Sequence, residues 1–341
     1  IFALLSLCKF REALINQIPA NVKFCITAGI GLFITIIAMI NAGIVINNDA
    51  TLVGIGDFGS PQFVLSIVGL LVIGVLHHFK VPGSILLGIL ITWVFGIFAE
   101  LGGWYVVDIE NGVYSLIPSF SNGFNIEAPV FCNFDFSYIT ANLSTFLVVM
   151  FTFLYTDIFD TVGTLIGVAE KGNLLNEKGE LPNATGALMA DAVGTCVGAA
   201  LGVSTVTSYV ESSAGVSAGG RTGLASVVTA LLFLVSIVFS PIFLAIPSFA
   251  TAPAMMFVGL LMLGSIKNVD FDSDIADTLG AFAAIVFMPL TYSIANGIMF
   301  GMLTWVILKV ITGKVKDVKP VMWVTTALFA IYFVLKFMGI M

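Results

Sequence analysis

The chain has 341 residues, 59% of them hydrophobic and only 10% charged, with a mean hydropathy of +1.09 and a formal net charge of −7. Soluble domains carry about 25% charged residues, so a water-soluble globular fold is excluded. The absence of a basic patch excludes nucleic-acid binding.

The apolar runs have the length of bilayer-crossing helices, about 17–25 residues. The alternating ten-residue strands of a membrane barrel are missing. The sequence therefore predicts an all-α polytopic membrane protein bathed in membrane lipid. Its opening residues, Ile1-Phe-Ala-Leu-Leu, read like the tail of a helix, so earlier spans are expected to be missing from this chain.

In chain order the predicted spans are 22–46, 62–79, 83–100, 140–168, 184–202, 204–219, 222–247, 251–266, 275–292, 296–312 and 321–339, the last either crossing or lying along the interface. Lys and Arg orient them. Lys9, Arg11 and Lys23, then Lys80, Lys171 and Lys178, Arg221, Lys267, and Lys309, Lys314, Lys316 and Lys319 mark the cytoplasmic side. The outer loops 47–61 and 101–139 carry Asp49, Asp57, Asp108, Glu110, Glu127 and Asp135 and no base. Trp104 and Tyr105 suit an outer aromatic belt, and Trp323 an inner one. His77 and His78 suit an interfacial position.

Two features concern packing. GSILLGILITWVF (83–95) resembles NGIMFGMLTWVI (296–307) through Gly88/Gly301, Thr92/Thr304, Trp93/Trp305 and Val94/Val306. The predicted orientations of the two are opposite, as in the inverted repeats of secondary transporters. Ala190, Gly194, Gly198 and Gly202 recur every four residues and predict a helix face that a neighbouring backbone can approach closely. Asp191, near the start of that span, reads as a helix-end charge. Cys8, Cys25, Cys132 and Cys196 have no metal-ligand spacing and read as free thiols. No cofactor or metal is expected.

The chemistry lies in two segments that are otherwise fit for lipid. A carboxylate at membrane depth is costly and usually faces a cavity. In FTFLYTDIFDTVGTLIGV (151–168), Asp157 and Asp160 are three apart and share a helix face, with Thr161 and Thr164 beside them. Two close carboxylates in low dielectric do not both ionise cheaply, which makes Asp157 and Asp160 candidates for proton coupling. Asp157 fits a polar contact to another helix equally well.

In GVSTVTSYVESSAGV (202–216), the β-branched run around Thr205 predicts a short extended piece. Ser208 and Glu211 have capping-box spacing and predict a half-helix after it. The substrate-binding candidates are therefore Asp160, Glu211, Thr161, Thr164, Thr205, Thr207 and Ser208, with Glu211 also a proton-coupling candidate. Carboxylates accept pairs of hydrogen bonds from the donor edge of a nucleobase. No Lys or Arg lies in either segment, which disfavours an anionic substrate. The residues leave proton and sodium coupling open.

FDTVGTLIG (159–167), ALMADAVGT (187–195), STVTSYVESSAGV (204–216), GGRTGL (219–224), FSPIFLAIPSFATAPA (239–254), MPLTYSIANGI (288–298) and INAGIV (40–45) resemble the AzgA-like adenine/guanine/hypoxanthine branch of the nucleobase:cation symporter-2 (xanthine/uracil permease) superfamily. The resemblance covers nearly the whole chain. It implies fourteen spans in two inverted repeats of seven, with short strands in broken helices. It implies a purine nucleobase held by Asp160 and Glu211, proton symport, an elevator-type movement of core against gate, a plasma-membrane location and a homodimer.

In this register residues 1–21 are the end of an early core helix and a cytoplasmic linker, and 22–100 are the first part of the gate. Residues 101–139 are an extracellular loop, and 140–247 are the second half of the core with the substrate site. Residues 251–312 are the second part of the gate, and 313–341 are a cytoplasmic loop and a C-terminal hydrophobic segment. Two other readings compete. Gly54–Asp57 has the G-x-G-D pattern of an intramembrane aspartyl protease, but in a loop and in the wrong order relative to Asp157. An anion exchanger or channel of related fold is the other; it would favour a base at the site, where this chain has Glu211.

Overall fold

The computed structural model describes residues 2–110, 112–119, 130–137, 139, 142–177, 180–204, 206–272 and 274–338. Thr205, Glu127 and Lys178 lie outside the described residues. In chain order the elements are α1 (Phe2–Leu7), α2 (Phe10–Gln17), α3 (Ala20–Asn41), β1 (Val45–Asn48), β2 (Leu52–Ile55), α4 (Pro61–His78), α5 (Ser84–Leu101), α6 (Leu143–Lys171), α7 (Ala184–Ala200), α8 (Ser212–Ser217), α9 (Gly223–Val238), α10 (Ser240–Leu244), α11 (Ser248–Leu263), α12 (Ile275–Leu290), α13 (Ile294–Ile311) and α14 (Pro320–Phe337). Among the described residues seven helices are long and apolar enough to cross a membrane, and α7, α9 and α12 are shorter apolar helices. The C-terminal segment is one of the seven.

Helix starts follow local chemistry. Ser60 accepts from the Phe63 N–H at 3.3 Å, with Pro61 as the first helical residue of α4. Ser293 accepts from the Asn296 N–H at 3.2 Å at the start of α13. Two expected spans differ. Residues 222–247 form α9 and α10 rather than one helix, and among its described residues 204–219 holds only the six-residue α8. The strands are an antiparallel hairpin, β1 with β2, in the loop after α3. The segment 203–208 is irregular over its described residues.

The chain packs as two compact units. The first unit comprises Ile1–Phe33, Ala128–Gly219 and Met262–Met341. Its helices meet at small residues. A Cβ on Gly301 of α13 would stand 2.8 Å from the Ala284 Cβ of α12, and one on Gly163 of α6 would stand 3.0 Å from Ile294. Such approaches let helices pack where lipid supplies no hydrophobic drive.

The second unit comprises Ile34–Glu127 and Gly220–Leu261. Its core gathers Leu65, Trp93, Tyr105, Leu116 and Phe249. Glu100 accepts from the Ser115 hydroxyl at 2.6 Å and the Leu116 N–H at 2.7 Å, tying the following loop to α5.

The two repeat copies do matching work, α5 in a hairpin with α4 and α13 in a hairpin with α12. Trp93 donates to the Leu116 carbonyl at 2.9 Å, and Trp305 donates to Asp277. Gly88 meets Ile73 of its own hairpin, as Gly301 meets Ala284.

At the end of α13, Lys309 donates to Asp274 at 2.6 Å, and Lys314 reaches the same oxygen at 3.0 Å. Asp274 also caps α12 by accepting from the Ala276 N–H at 3.1 Å. These bonds, the one from Lys309 foremost, hold the Asp274 carboxyl well below the usual carboxylate range. A depressed carboxyl contributes stability above its unfolded pKa, about 3.9, and loses it as pH falls toward the folded value. Purified protein in detergent should therefore lose melting temperature below about pH 4. Asp274→Asn should melt lower than wild type at pH 7 and show a flatter acid limb. An unchanged limb in the variant would remove Asp274 from this role.

Candidate functional site

α6 is an unbroken helix of 29 residues with Asp157 at its centre. At about 1.5 Å per residue it exceeds the hydrocarbon thickness of about 30 Å, so its middle lies at membrane depth. The helix matches the expected span 140–168, and its glycines Gly163 and Gly167 serve close packing.

Asp157 and Asp160 both line a cavity of about 1040 Å³. Its apolar wall includes Phe146, Met150, Phe153 and Leu154 of α6, and its polar lining adds Thr156, Thr195, Ser204 and Thr207. Asp160 faces the backbone of Ala295 in the first turn of α13, where the positive end of a helix dipole favours a carboxylate. Asp160 Oδ1 is buried and has no hydrogen-bond partner among the described residues. A buried acceptor left unmatched costs about 1–3 kcal/mol, which marks the atom as one awaiting a donor.

The glycine face of α7 shapes the other wall. After Gly202, which takes φ +68°, the chain turns back along α7, and the Val203 N–H donates to the Gly198 carbonyl at 3.0 Å. Thr195 donates to the Val206 carbonyl at 3.3 Å. A Cβ on Gly198 would stand 2.9 Å from the Ser204 oxygen, whereas one on Gly194 would meet Val206 at 3.5 Å. The close approach expected at this face is thus made by the irregular segment itself. Among the described residues, the N–H groups of Val206, Thr207, Ser208 and Tyr209 make no backbone hydrogen bond.

Several expected site residues are placed differently. Thr161 is buried and donates to Asp191 at 3.1 Å rather than lining the cavity. Thr164 is buried, Ser208 is half-buried, and neither lines the cavity. Glu211 is exposed at the start of α8 and does not line the cavity; its side chain makes no capping bond, so the predicted capping box does not form. Asp191, expected as a helix-end charge, lies in the middle of α7, buried and 3.2 Å from Arg11. Thr156, Thr195 and Ser204 were not anticipated. The available signal for Thr195 was its place one turn beyond Asp191, on the same helix face.

Comparison with known proteins shows the family. The model of the permease family Xan_ur_permease matches residues 1–300. The chain is 40% identical to the guanine/hypoxanthine permease PbuG of Bacillus subtilis, over 98% of this chain and 73% of that protein. It is 38% identical to the adenine permease AdeQ of Escherichia coli, over 97% and 71% respectively. The chain belongs to the permease family. It is a multi-pass plasma-membrane transporter and not an enzyme. In this permease Asp57 serves its own loop, accepting from the Gly59 N–H at 2.8 Å, which sets the protease pattern aside.

The cavity wall makes a paired prediction. Gly198→Ala should destabilise the permease by about 1–3 kcal/mol by forcing the Ser204 carbonyl away. Gly194→Ala should be neutral, or stabilising by up to about 1 kcal/mol. Thermal unfolding in detergent measures both, and equal effects would contradict the packing.

Proposed function

We propose that this permease carries purine nucleobases, as the names of its relatives describe for them, with Asp160 as the principal substrate contact. The observation that supports this most is the unmatched Asp160 oxygen beside the cavity. A ring N–H or exocyclic amino group is a donor of the kind it lacks, and bonds to an ionised acceptor are about twice as strong as neutral ones. The aromatic and aliphatic lining suits the faces of a flat heterocycle, and Thr195, Ser204 and Thr207 suit its remaining polar edge.

Glu211, which follows this wall by four residues, is proposed as a second carboxylate that engages the base during the cycle. Transport is proposed to be proton symport, with the proton carried by Asp157 and Asp160. Their mutual repulsion at three-residue spacing favours binding one proton between them. The cycle is proposed to be an elevator-type movement of core against gate.

The test is uptake of radiolabelled hypoxanthine and adenine in a host lacking its own purine permeases. Removing one charged acceptor from a buried donor costs about 1.5–3 kcal/mol, so Asp160→Asn should lower uptake about 10- to 100-fold at equal membrane expression. Glu211→Gln should lower it as well. Wild-type uptake by Asp160→Asn would refute the assignment.

A further inference from the structure

Behind the cavity lies a buried charge that this reading does not use. Arg11 of α2 is fully buried. Its guanidinium donates to the Ser6 hydroxyl at 3.0 Å, the Leu188 carbonyl at 3.3 Å and Asp191 Oδ2 at 3.2 Å. Asp191 Oδ2 also accepts from Thr161, which adjoins Asp160 and lies one turn beyond Asp157. Arg11 forms an ion pair with Asp191 at 3.2 Å. One cation is thus linked through Asp191 and Thr161 to the helix turn that carries the two cavity carboxylates, Asp157 and Asp160.

A guanidinium free to pair with Asp157 or Asp160 would satisfy the acceptors that cargo and proton need. We propose that Asp191 is a charge clamp, a positioning residue that keeps the Arg11 guanidinium off the two cavity carboxylates and so leaves them open. This rests on the transport reading above. The titratable and charged groups around the cluster are Arg11 and Glu12 of α2, Tyr155, Asp157 and Asp160 of α6, Asp191 of α7 and Tyr332 of α14. Glu12 is occupied by Thr185, and Tyr155 stacks on Tyr332 at 4.3 Å.

The clamp predicts shifts of opposite sign in the pH profile of purine uptake. In Asp191→Asn the released Arg11 pairs with a cavity carboxylate. KM should rise about tenfold, and the pH limb governed by that carboxylate should move to lower pH. In Arg11→Gln the cation is gone, so the limb should move to higher pH. The double variant Arg11→Met/Asp191→Leu removes both charges together, a change that buried pairs often tolerate. It should return KM and the limb to within about twofold of wild type.

A purely structural pair would lower the amount of protein in the membrane without moving the limb. Unmoved limbs in both single variants, shifts of the same sign, or a double variant as impaired as Asp191→Asn would each overturn the clamp. If Asp191→Asn fails to reach the membrane, Arg11→Gln and the double variant still decide the matter. Failure of the transport reading itself would show separately, as purine uptake indifferent to Asp160→Asn.

Discussion

Charge buried at membrane depth is the constraint on which the rest of this permease depends. Ionised side chains surrounded by lipid are tolerated only when other groups answer them. One oxygen of Asp191 is answered by Arg11 and Thr161, and Asp160 lies beside the first turn of α13. Of the two carboxylates with a buried oxygen left unmatched, Asp160 and Asp191, only Asp160 lines a cavity large enough for a small heterocycle among the described residues. The fold places three carboxylates on two helices, with Asp157 and Asp160 lining the cavity while Asp191 pairs with Arg11 and Thr161. That asymmetry separates a structural polar cluster from a site that takes a ligand.

Glycine placement makes the asymmetry possible. α7 presents Gly194 and Gly198 to the returning chain, and Gly202 takes the left-handed conformation that turns it. The segment that follows lies against the helix through backbone contacts, so the hydroxyls of Ser204 and Thr207 can join the cavity lining. A side chain at Gly198 would meet the Ser204 carbonyl first. The same use of small residues sets the α12–α13 hairpin, where Gly301 lies against Ala284. Packing and recognition in this protein thus rest on one device, the close approach of bare backbone.

The sequence was informative wherever a residue type conflicts with its surroundings. Asp157 and Asp160 stand out because carboxylates do not belong in a lipid-fit helix, and both line the cavity. The spacing of Ala190, Gly194, Gly198 and Gly202 foretold a close backbone approach but not which segment would make it. Partnerships across long chain separations stayed hidden. Arg11 and Asp191 are 180 residues apart, and nothing local pairs them. Ser208 and Glu211 had the spacing of a capping box, yet α8 starts after both of them, because local hydrogen-bonding preference yielded to the path that the α7 face imposes. The extended piece expected from the β-branched run is irregular for the same reason.

The most direct measurement is an experimental structure of the permease with hypoxanthine or adenine bound. The base should lie in the cavity lined by α6, Thr195 of α7, Ser204 and Thr207, with a ring or amino N–H in hydrogen-bond contact with Asp160 and Arg11 still joined to Asp191. A base bound elsewhere, with that carboxylate oxygen still unmatched or capped by Arg11, would contradict it.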